Sequence, residues 1–333
     1  MNRRQLILGA PALAACQGAP AATAAPAPPF PMRKGVNLGN ALEAPSEGDW
    51  GYRIAPADLD AIAAAGFDGV RLPVRWDAHM AAAAPFSVEP AFLGRVKEVV
   101  SAALAVGLFV QLDVHHYAAL IEHPEAEADR FRALWAQLAR AFAGAPPRLL
   151  FEALNEPHGP ALAERRLTAL QAAALAQIRP LHPERLVIVG GGNWNSIDGL
   201  SAWTPPPDPR LAVSVHYYEP HAFTHENAEW LGAQAPRFGR PWGDEADMAR
   251  LTADAARAAR WAAARGVALQ LGEFGVNRRV PLAQRALWTG AARRAFEAEG
   301  AAWCVWDFAG AFPIWDRARG AFYPEMREAL FGG

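Results

Sequence analysis

Two glutamates stand where apolar runs end. The run Leu149 to Ala153 leads into Leu154-Asn155-Glu156-Pro157, and the run Ala268 to Gly272 leads into Glu273-Phe274-Gly275. A carboxylate that leaves a buried strand at its last residue emerges at the edge of the core, where it meets both solvent and any ligand lying there. One such Glu is most often only the first solvated residue of a loop. Here Arg71, His115, Asn155, Asn193, His216 and Trp306 also fall at or just beyond the ends of apolar runs. Two carboxylates with cationic, imidazole and amide neighbours suit proton donation coupled to nucleophilic attack. A metal reading of Asp113, His115 and His116 fails on geometry, because successive residues leaving a strand point to opposite sides. No Cys or His spacing typical of zinc occurs, and no glycine-rich phosphate loop follows the first strand. No cofactor and no metal are therefore expected: carboxylates and water suffice.

Positioning these residues takes a particular kind of scaffold. Eight short apolar segments can be counted: Lys34 to Leu38, Gly69 to Val74, Leu108 to Val114, Leu149 to Ala153, Leu186 to Val189, Leu211 to His216, Ala268 to Gly272 and Ala302 to Trp306. Most are continuous Val, Leu, Ile and Phe runs, as strands covered on both faces require. Between them lie stretches of helical period such as Pro56 to Ala65, Pro90 to Val106, Glu125 to Ala143 and Ala161 to Ile178, several with Pro near the start. The alternation predicts an α/β fold, either a single (β/α)8 barrel or an open doubly wound sheet. The barrel is favoured, because only a closed ring gathers polar residues from the ends of all these strands into one place. Gly190-Gly191-Gly192 reads as a bend that brings backbone close to that place, and the segment from Tyr217 to Asp244 as an extended loop on the same face.

Composition narrows the ligand. The 333 residues are 52% hydrophobic and carry a formal net charge of -2, from 32 basic and 34 acidic side chains mixed along the chain. That balance excludes overall disorder and leaves no electrostatic footprint for nucleic acid. A neutral partner and a monomer are expected. Twelve Trp, several beside Gly, Pro, Asn or Asp, suit stacking on a flat apolar ligand face as well as core filling. Residues 1–15 read as an export signal, with Met1-Asn2-Arg3-Arg4 before an apolar stretch too short to stay in a bilayer. Leu13-Ala14-Ala15-Cys16 resembles a lipobox with Cys16 as the lipidated residue, and the Arg3-Arg4 pair resembles a twin-arginine signal. An exported protein is expected, periplasmic or attached to the outer membrane by that lipid, or alternatively cleaved downstream and secreted. The Ala/Pro-rich residues 16–32 read as a tether, and 33–333 as the folded domain. With only Cys16 and Cys304, no disulfide is expected.

In order along the chain stand Gly35-Val36-Asn37-Leu38-Gly39-Asn40-Ala41-Leu42-Glu43, Val70-Arg71-Leu72-Pro73-Val74-Arg75-Trp76, Asp113-Val114-His115-His116-Tyr117, Leu154-Asn155-Glu156-Pro157-His158, His216-Tyr217-Tyr218, Gly272-Glu273-Phe274-Gly275 and Trp306-Asp307-Phe308. This series resembles glycoside hydrolase family 5, the cellulase family, from about Gly35 to Trp306. The resemblance implies retaining, endo-acting cleavage of internal β-1,4-glucosidic bonds in cellulose-type or mixed-linkage β-glucan. It assigns Glu156 as acid/base and Glu273 as nucleophile, with Arg71 holding the nucleophile ionised and Tyr218 fixing its rotamer. His216 would tune Glu156, Asn155 would bind the sugar 2-hydroxyl, and His115 another hydroxyl. Trp306 would be the stacking floor, with Asn40, Glu43, His116, His225, Trp230 and Asp307 as further substrate contacts. Family members often carry Glu where Asp307 stands. Trp194, Trp242 and Trp315 are further stacking candidates. The alternatives are an endo-β-1,4-mannanase or a dual glucanase and mannanase, and, more remotely, a non-catalytic sugar-binding lipoprotein.

Overall fold

A computed structural model describes residues 29–332. Eight parallel strands close into a barrel in chain order: β1 Lys34–Asn37, β2 Gly69–Leu72, β3 Phe109–Leu112, β4 Leu149–Glu152, β5 Val187–Gly190, β6 Leu211–His216, β7 Ala268–Glu273 and β8 Ala302–Val305. Closure is made by Gly35 of β1, which is in register with Gly69 of β2 on one side and Cys304 of β8 on the other. All eight predicted segments are strands, most of them ending one or two residues early because the last residues of each run already turn into the loops that carry polar side chains.

Ten helical segments follow the strands: α1 Pro56–Ala65, α2 Pro90–Ala105, α3 Ala118–Glu122, α4 Pro124–Ala141, α5 Arg165–Ile178, the single turn α6 Gly192–Asn195, α7 His221–Thr224, α8 Glu245–Ala263, α9 Leu282–Ala298 and α10 Pro324–Phe331. The helices α1, α2, α4 and α10 each carry Pro in the first turn, where the missing N–H costs no intrahelical bond. In α4, Phe131, Leu134, Trp135 and Leu138 recur at three- and four-residue intervals and are fully buried against the barrel. After β8 the chain adds a two-stranded hairpin, β9 Trp315–Asp316 with β10 Ala321–Phe322, whose turn residue Arg317 lines the cleft described below. No helix among the described residues is long and apolar enough to cross a membrane.

The barrel interior is not uniformly apolar. Arg71, Gln111, Glu152 and Gln270 point inward from β2, β3, β4 and β7 and are fully or almost fully buried. Gln270 Nε2 donates to Gln111 Oε1 (2.8 Å), and Gln111 Nε2 donates to Glu152 Oε2 (2.7 Å), so a connected chain of polar groups runs from the middle of the barrel up to Arg71, with Gln270 Oε1 alone in it left without a partner. Below it the barrel is plugged by Phe30 and Met32, which pack with Leu150, Ile188, Ala212, Ala268, Ala302 and Cys304 near the starts of their strands. A Cβ on Gly69 would lie 2.3 Å from the Met32 sulfur, so glycine is what lets the plug seat. The folded unit therefore begins before Arg33, and the tether boundary at residue 32 is corrected by these two buried side chains. The export signal and Cys16 lie outside the described residues.

Candidate active site

All the strand-end residues converge at the opposite, C-terminal end of the barrel. Arg71 is the hub. Its Nε and Nη2 grip Glu152 at 2.6 and 2.8 Å, and Nη2 also reaches Asp113 (2.8 Å) and Asn155 Oδ1 (2.7 Å). Its Nη1 donates to Asn37 Oδ1 (2.9 Å) and to Glu273 Oε1 (2.6 Å). Burial opposes the guanidinium charge, but Glu152, Asp113 and Glu273 outweigh it and hold Arg71 protonated. Every donor is engaged, so the group is fixed in direction as well as in charge.

Glu273 ends β7. Its second oxygen accepts from the Tyr218 hydroxyl at 3.0 Å. Glu156 faces it from the loop after β4, with its Oε1 at 2.8 Å from His216 Nδ1. One oxygen of each carboxylate and a nitrogen of His216 lie within 4.8 Å of one another. The Glu156 side chain is 26% exposed and that of Glu273 6%, so Glu156 is the one on the cleft surface.

Burial pushes both carboxyls up to about 7. For Glu273 this corrects the expectation that Arg71 keeps it low: the guanidinium lowers it, and desolvation wins. Glu273 receives two hydrogen bonds, one of them from a cation, against one contact with neutral His216 for Glu156, and this difference favours the ionised form at Glu273 and the protonated form at Glu156. Burial lowers His216 below the usual imidazole range, so it is neutral beside Glu156. His115 is neutral for the same reason. Its Nδ1 donates to Asp113 Oδ2 (2.7 Å), and its Nε2 faces Asn155 Nδ2 at 3.3 Å. The amide of Asn155 is thus held between Arg71 and His115. The Glu156, His216 and Glu273 donors are close enough to share a cation, but the Arg71 guanidinium already supplies positive charge at Glu273.

Trp306 lies parallel to the His115 ring, centroids 5.8 Å apart, and floors the cleft with Asn40, His116, His225 and Trp230 around it. Two expected substrate contacts are placed elsewhere. Glu43 has no exposure, and its carboxylate accepts from the backbone N–H groups of Asn40 and Ala41. Asp307, also without exposure, accepts from Gly310 N (2.8 Å) and Ala311 N (3.2 Å), while Asn40 Oδ1 accepts from Ala311 N at 2.8 Å. Both carboxylates are corrected from sugar contacts to braces under Asn40 and Trp306. Trp242 is buried on Phe223 and Trp288 and offers no stacking face, while half-buried Trp315 has one face stacked on Phe308 and meets Phe322 edge-on. Trp194 offers a face: it is 51% exposed and stacked at 4.5 Å on His158.

Left-handed backbone clusters here. Asn40, His116, Glu156, Asn193, Trp194 and Asn195 all have φ between 44° and 63°. Non-glycine residues hold such angles at a cost of about 1–3 kcal/mol each, and they gather at functional sites. Two residues escaped the sequence reading. Trp50, 45% exposed on the cleft rim and edge-on to His116, sits in the irregular segment after β1, and its only signal was an aromatic between turn glycines. Glu152 stood in a strand run and showed its partner only when the barrel closed.

A family model for the cellulases, glycosyl hydrolase family 5, matches residues 33–311. This chain belongs to glycosyl hydrolase family 5. Within that family, Endoglucanase H of Acetivibrio thermocellus is 34% identical over 307 residues, covering 90% of this chain and 33% of that protein. Cellulase/esterase CelE of the same organism is 29% identical, covering 91% of this chain and 39% of its own length. The chain thus spans between a third and two fifths of these two curated relatives. Among solved family members, Thermotoga maritima Cel5A in complex with mannotriose superposes with a TM-score of 0.87 at 36% identity, over 90% of this chain and 97% of that one. Cel5A has also been solved with cellobiose.

Proposed function

We propose that this chain is a retaining, endo-acting glycoside hydrolase that cuts internal β-1,4-glucosidic bonds of cellulose-type or mixed-linkage β-glucan. The observation that carries the reading is the pair Glu156 and Glu273, facing each other within 4.8 Å with Arg71 on one and neutral His216 on the other. Retaining enzymes hold their carboxyls about 5–5.5 Å apart, whereas inverting ones leave room for a water. In the first step Glu273 attacks the anomeric carbon as Glu156 gives its proton to the departing glycosidic oxygen. Loss of the Glu273 charge into the ester bond then lowers the Glu156 pKa. In the second step Glu156, now ionised, takes a proton from water, which displaces Glu273 from the sugar and restores both groups. Asn155, pinned by Arg71 and His115, is placed to bind the 2-hydroxyl, a contact that strengthens as positive charge builds on the ring. Trp306 offers the pyranose C–H face an aromatic floor.

A second reading, β-1,4-mannan as substrate alone or beside glucan, draws support from the likeness to Cel5A, which was solved with mannotriose. The sugar-binding lipoprotein is disfavoured, because a mere receptor gains nothing from two buried carboxyls kept next to Arg71. The test is reducing-end release by wild type, Glu156→Gln and Glu273→Gln on barley β-glucan, carboxymethyl-cellulose, glucomannan and galactomannan, with product lengths resolved. Short mixed oligomers from glucan, lost in both variants, are expected; preference for mannan changes the substrate and not the mechanism; no cleavage of any polymer refutes the hydrolase. We further propose export as a lipoprotein through Cys16, tested by membrane fractionation of wild type against Cys16→Ala: equal distribution of the two would refute the anchor.

A further inference from the structure

The turn α6 carries three left-handed residues, and only two of them face the cleft. Asn193 and Trp194 line it, whereas Asn195 has no exposure. The fold makes room for that buried side chain. A Cβ on Gly190 would lie 2.1 Å from Asn195 Oδ1, and one on Gly199 would lie 1.9 Å from the Gly192 carbonyl oxygen, so the turn is seated on bare backbone.

Strain and clearance together deliver an amide to His216. Asn195 Nδ2 lies 3.5 Å from His216 Nε2, the one hydrogen-bond partner of that nitrogen among the described residues. Asn195 Oδ1 has no partner. An amide buried for stability alone satisfies both of its ends. This one leaves its oxygen unpaired and keeps its N–H on an imidazole.

A neutral imidazole carries one proton, so its two nitrogens take opposite roles. Nδ1 of His216 faces Glu156 Oε1 at 2.8 Å. When Nε2 accepts from Asn195, the proton sits on Nδ1 and His216 donates to Oε1. Glu156 then carries its own proton on Oε2, where it can reach the departing glycosidic oxygen. Ionised Glu156 keeps the same donor in the second step. With the proton on Nε2 instead, a bare Nδ1 would accept the O–H of Glu156 and hold the acid's proton away from the sugar. The charged groups around His216 leave that choice to Asn195: Glu273 Oε2 also stands on the Nδ1 side, at 3.6 Å, and Arg71, Asp113 and Glu152 act on the ring through charge alone.

Building on the hydrolase reading, we infer that Asn195 is a positioning residue that fixes the Nδ1–H tautomer of His216 and thereby keeps the acid proton of Glu156 directed at the leaving group. Asn195 itself touches no sugar.

Two measurements test this. The first is nitrogen NMR of the wild type labelled at histidine, at neutral pH, with the His216 signals assigned by their loss in His216→Gln. A protonated Nδ1 and a bare Nε2 are expected; a proton on Nε2 overturns the inference. The second compares wild type with Asn195→Gly, glycine being the residue that holds a φ of 54° without strain. Pre-steady-state aryl release is followed on aryl β-cellobiosides of graded leaving-group pKa, or on the matching mannobiosides if the enzyme prefers mannan. The variant should stay within about twofold of wild type on the best leaving group, which also shows that it folds, and lose about tenfold on the poorest, where proton donation matters most. Its His216 should show a mixture of tautomers, and KM should be unchanged. Equal loss across all leaving groups, or a ring still wholly Nδ1–H in the variant, reduces Asn195 to a structural residue and overturns the inference while the hydrolase stands. Absence of cleavage of any glycoside by the wild type removes the hydrolase reading, and with it the catalytic purpose of the tautomer that the NMR reads.

Discussion

Glu273 and Glu156 divide their work by the hydrogen bonds each receives, and that division sets what their replacement does. Glu273→Gln leaves no nucleophile, so both polymers and activated aryl glycosides should go uncut. Glu156→Gln removes only the proton donor: polymer hydrolysis should fall by about 10²–10⁴, while the first, glycosylation step on aryl glycosides with good leaving groups survives far better. Pre-steady-state release of the aryl group checks this, and equal loss in the two variants would exchange or merge the roles. Because burial raises both groups to about 7, kcat/KM should follow a narrow bell near neutrality. Acid below that pH protonates Glu273, and base above it strips the proton from Glu156. A broad plateau from pH 4 to 6 would contradict this ordering. Glu43 bears on stability. Desolvation raises its carboxyl from 4.5 to about 8, so its contribution to folding is fully present below the unfolded pKa and is lost as pH rises through the folded one. Glu43→Gln should therefore flatten the fall in melting temperature between pH 5 and 8, and an unchanged slope would show that Glu43 is not the group responsible. The pair Glu156 and Glu273 was legible in the sequence because each ends an apolar run. The bracing by Glu43 and Asp307 was not, since only folding shows which backbone N–H groups a carboxylate meets.

Strands and loops set the positions of these residues. Beyond β7, Gly275 passes so near the Trp306 carbonyl that a Cβ there would sit 1.9 Å from the oxygen. Gly275→Ala must push apart the loops that follow β7 and β8, moving Trp306 against Glu273. Loss of about 1–3 kcal/mol in stability, as for other overpacked core sites, together with a fall in kcat, is expected. Denaturant melts and kinetics check it, and a variant that keeps both would show that the two loops move freely. The strands themselves were readable from unbroken apolar runs. The inward Arg71, Gln111, Glu152 and Gln270 were visible as letters, yet not as a connected column, because neighbours in the barrel lie about 40 to 160 positions apart in sequence. The turn α6 was equally opaque. Three consecutive non-glycine residues are left-handed, Asn193 to Asn195; Asn tolerates that region singly, but Trp194 does not favour it, so the run is held by its surroundings.

At the scale of the molecule, the barrel depends on its plug as well as its ring. Phe30→Ala, at a site only 1% exposed, should cost about 3–5 kcal/mol although the residue lies at the far end from the cleft. Calorimetry of the intact chain against the variant measures it, with kcat at a temperature well below both transitions expected to be unchanged; a drop in kcat of more than a few fold would mean that the two ends communicate. Closure of the ring could be read in the sequence from eight alternating units and from polar residues at so many strand ends. The plug could not, because Pro29, Phe30, Pro31 and Met32 continue a proline-rich stretch and carry no periodicity. The plug also gives the molecule a front and a back. The chain enters the fold through the face that Phe30 and Met32 seal, and the catalytic groups open on the other. Any attachment made through residues ahead of Pro29 therefore joins the enzyme at the face opposite its cleft, and leaves the approach of a long polymer to the catalytic groups unobstructed by the point of attachment.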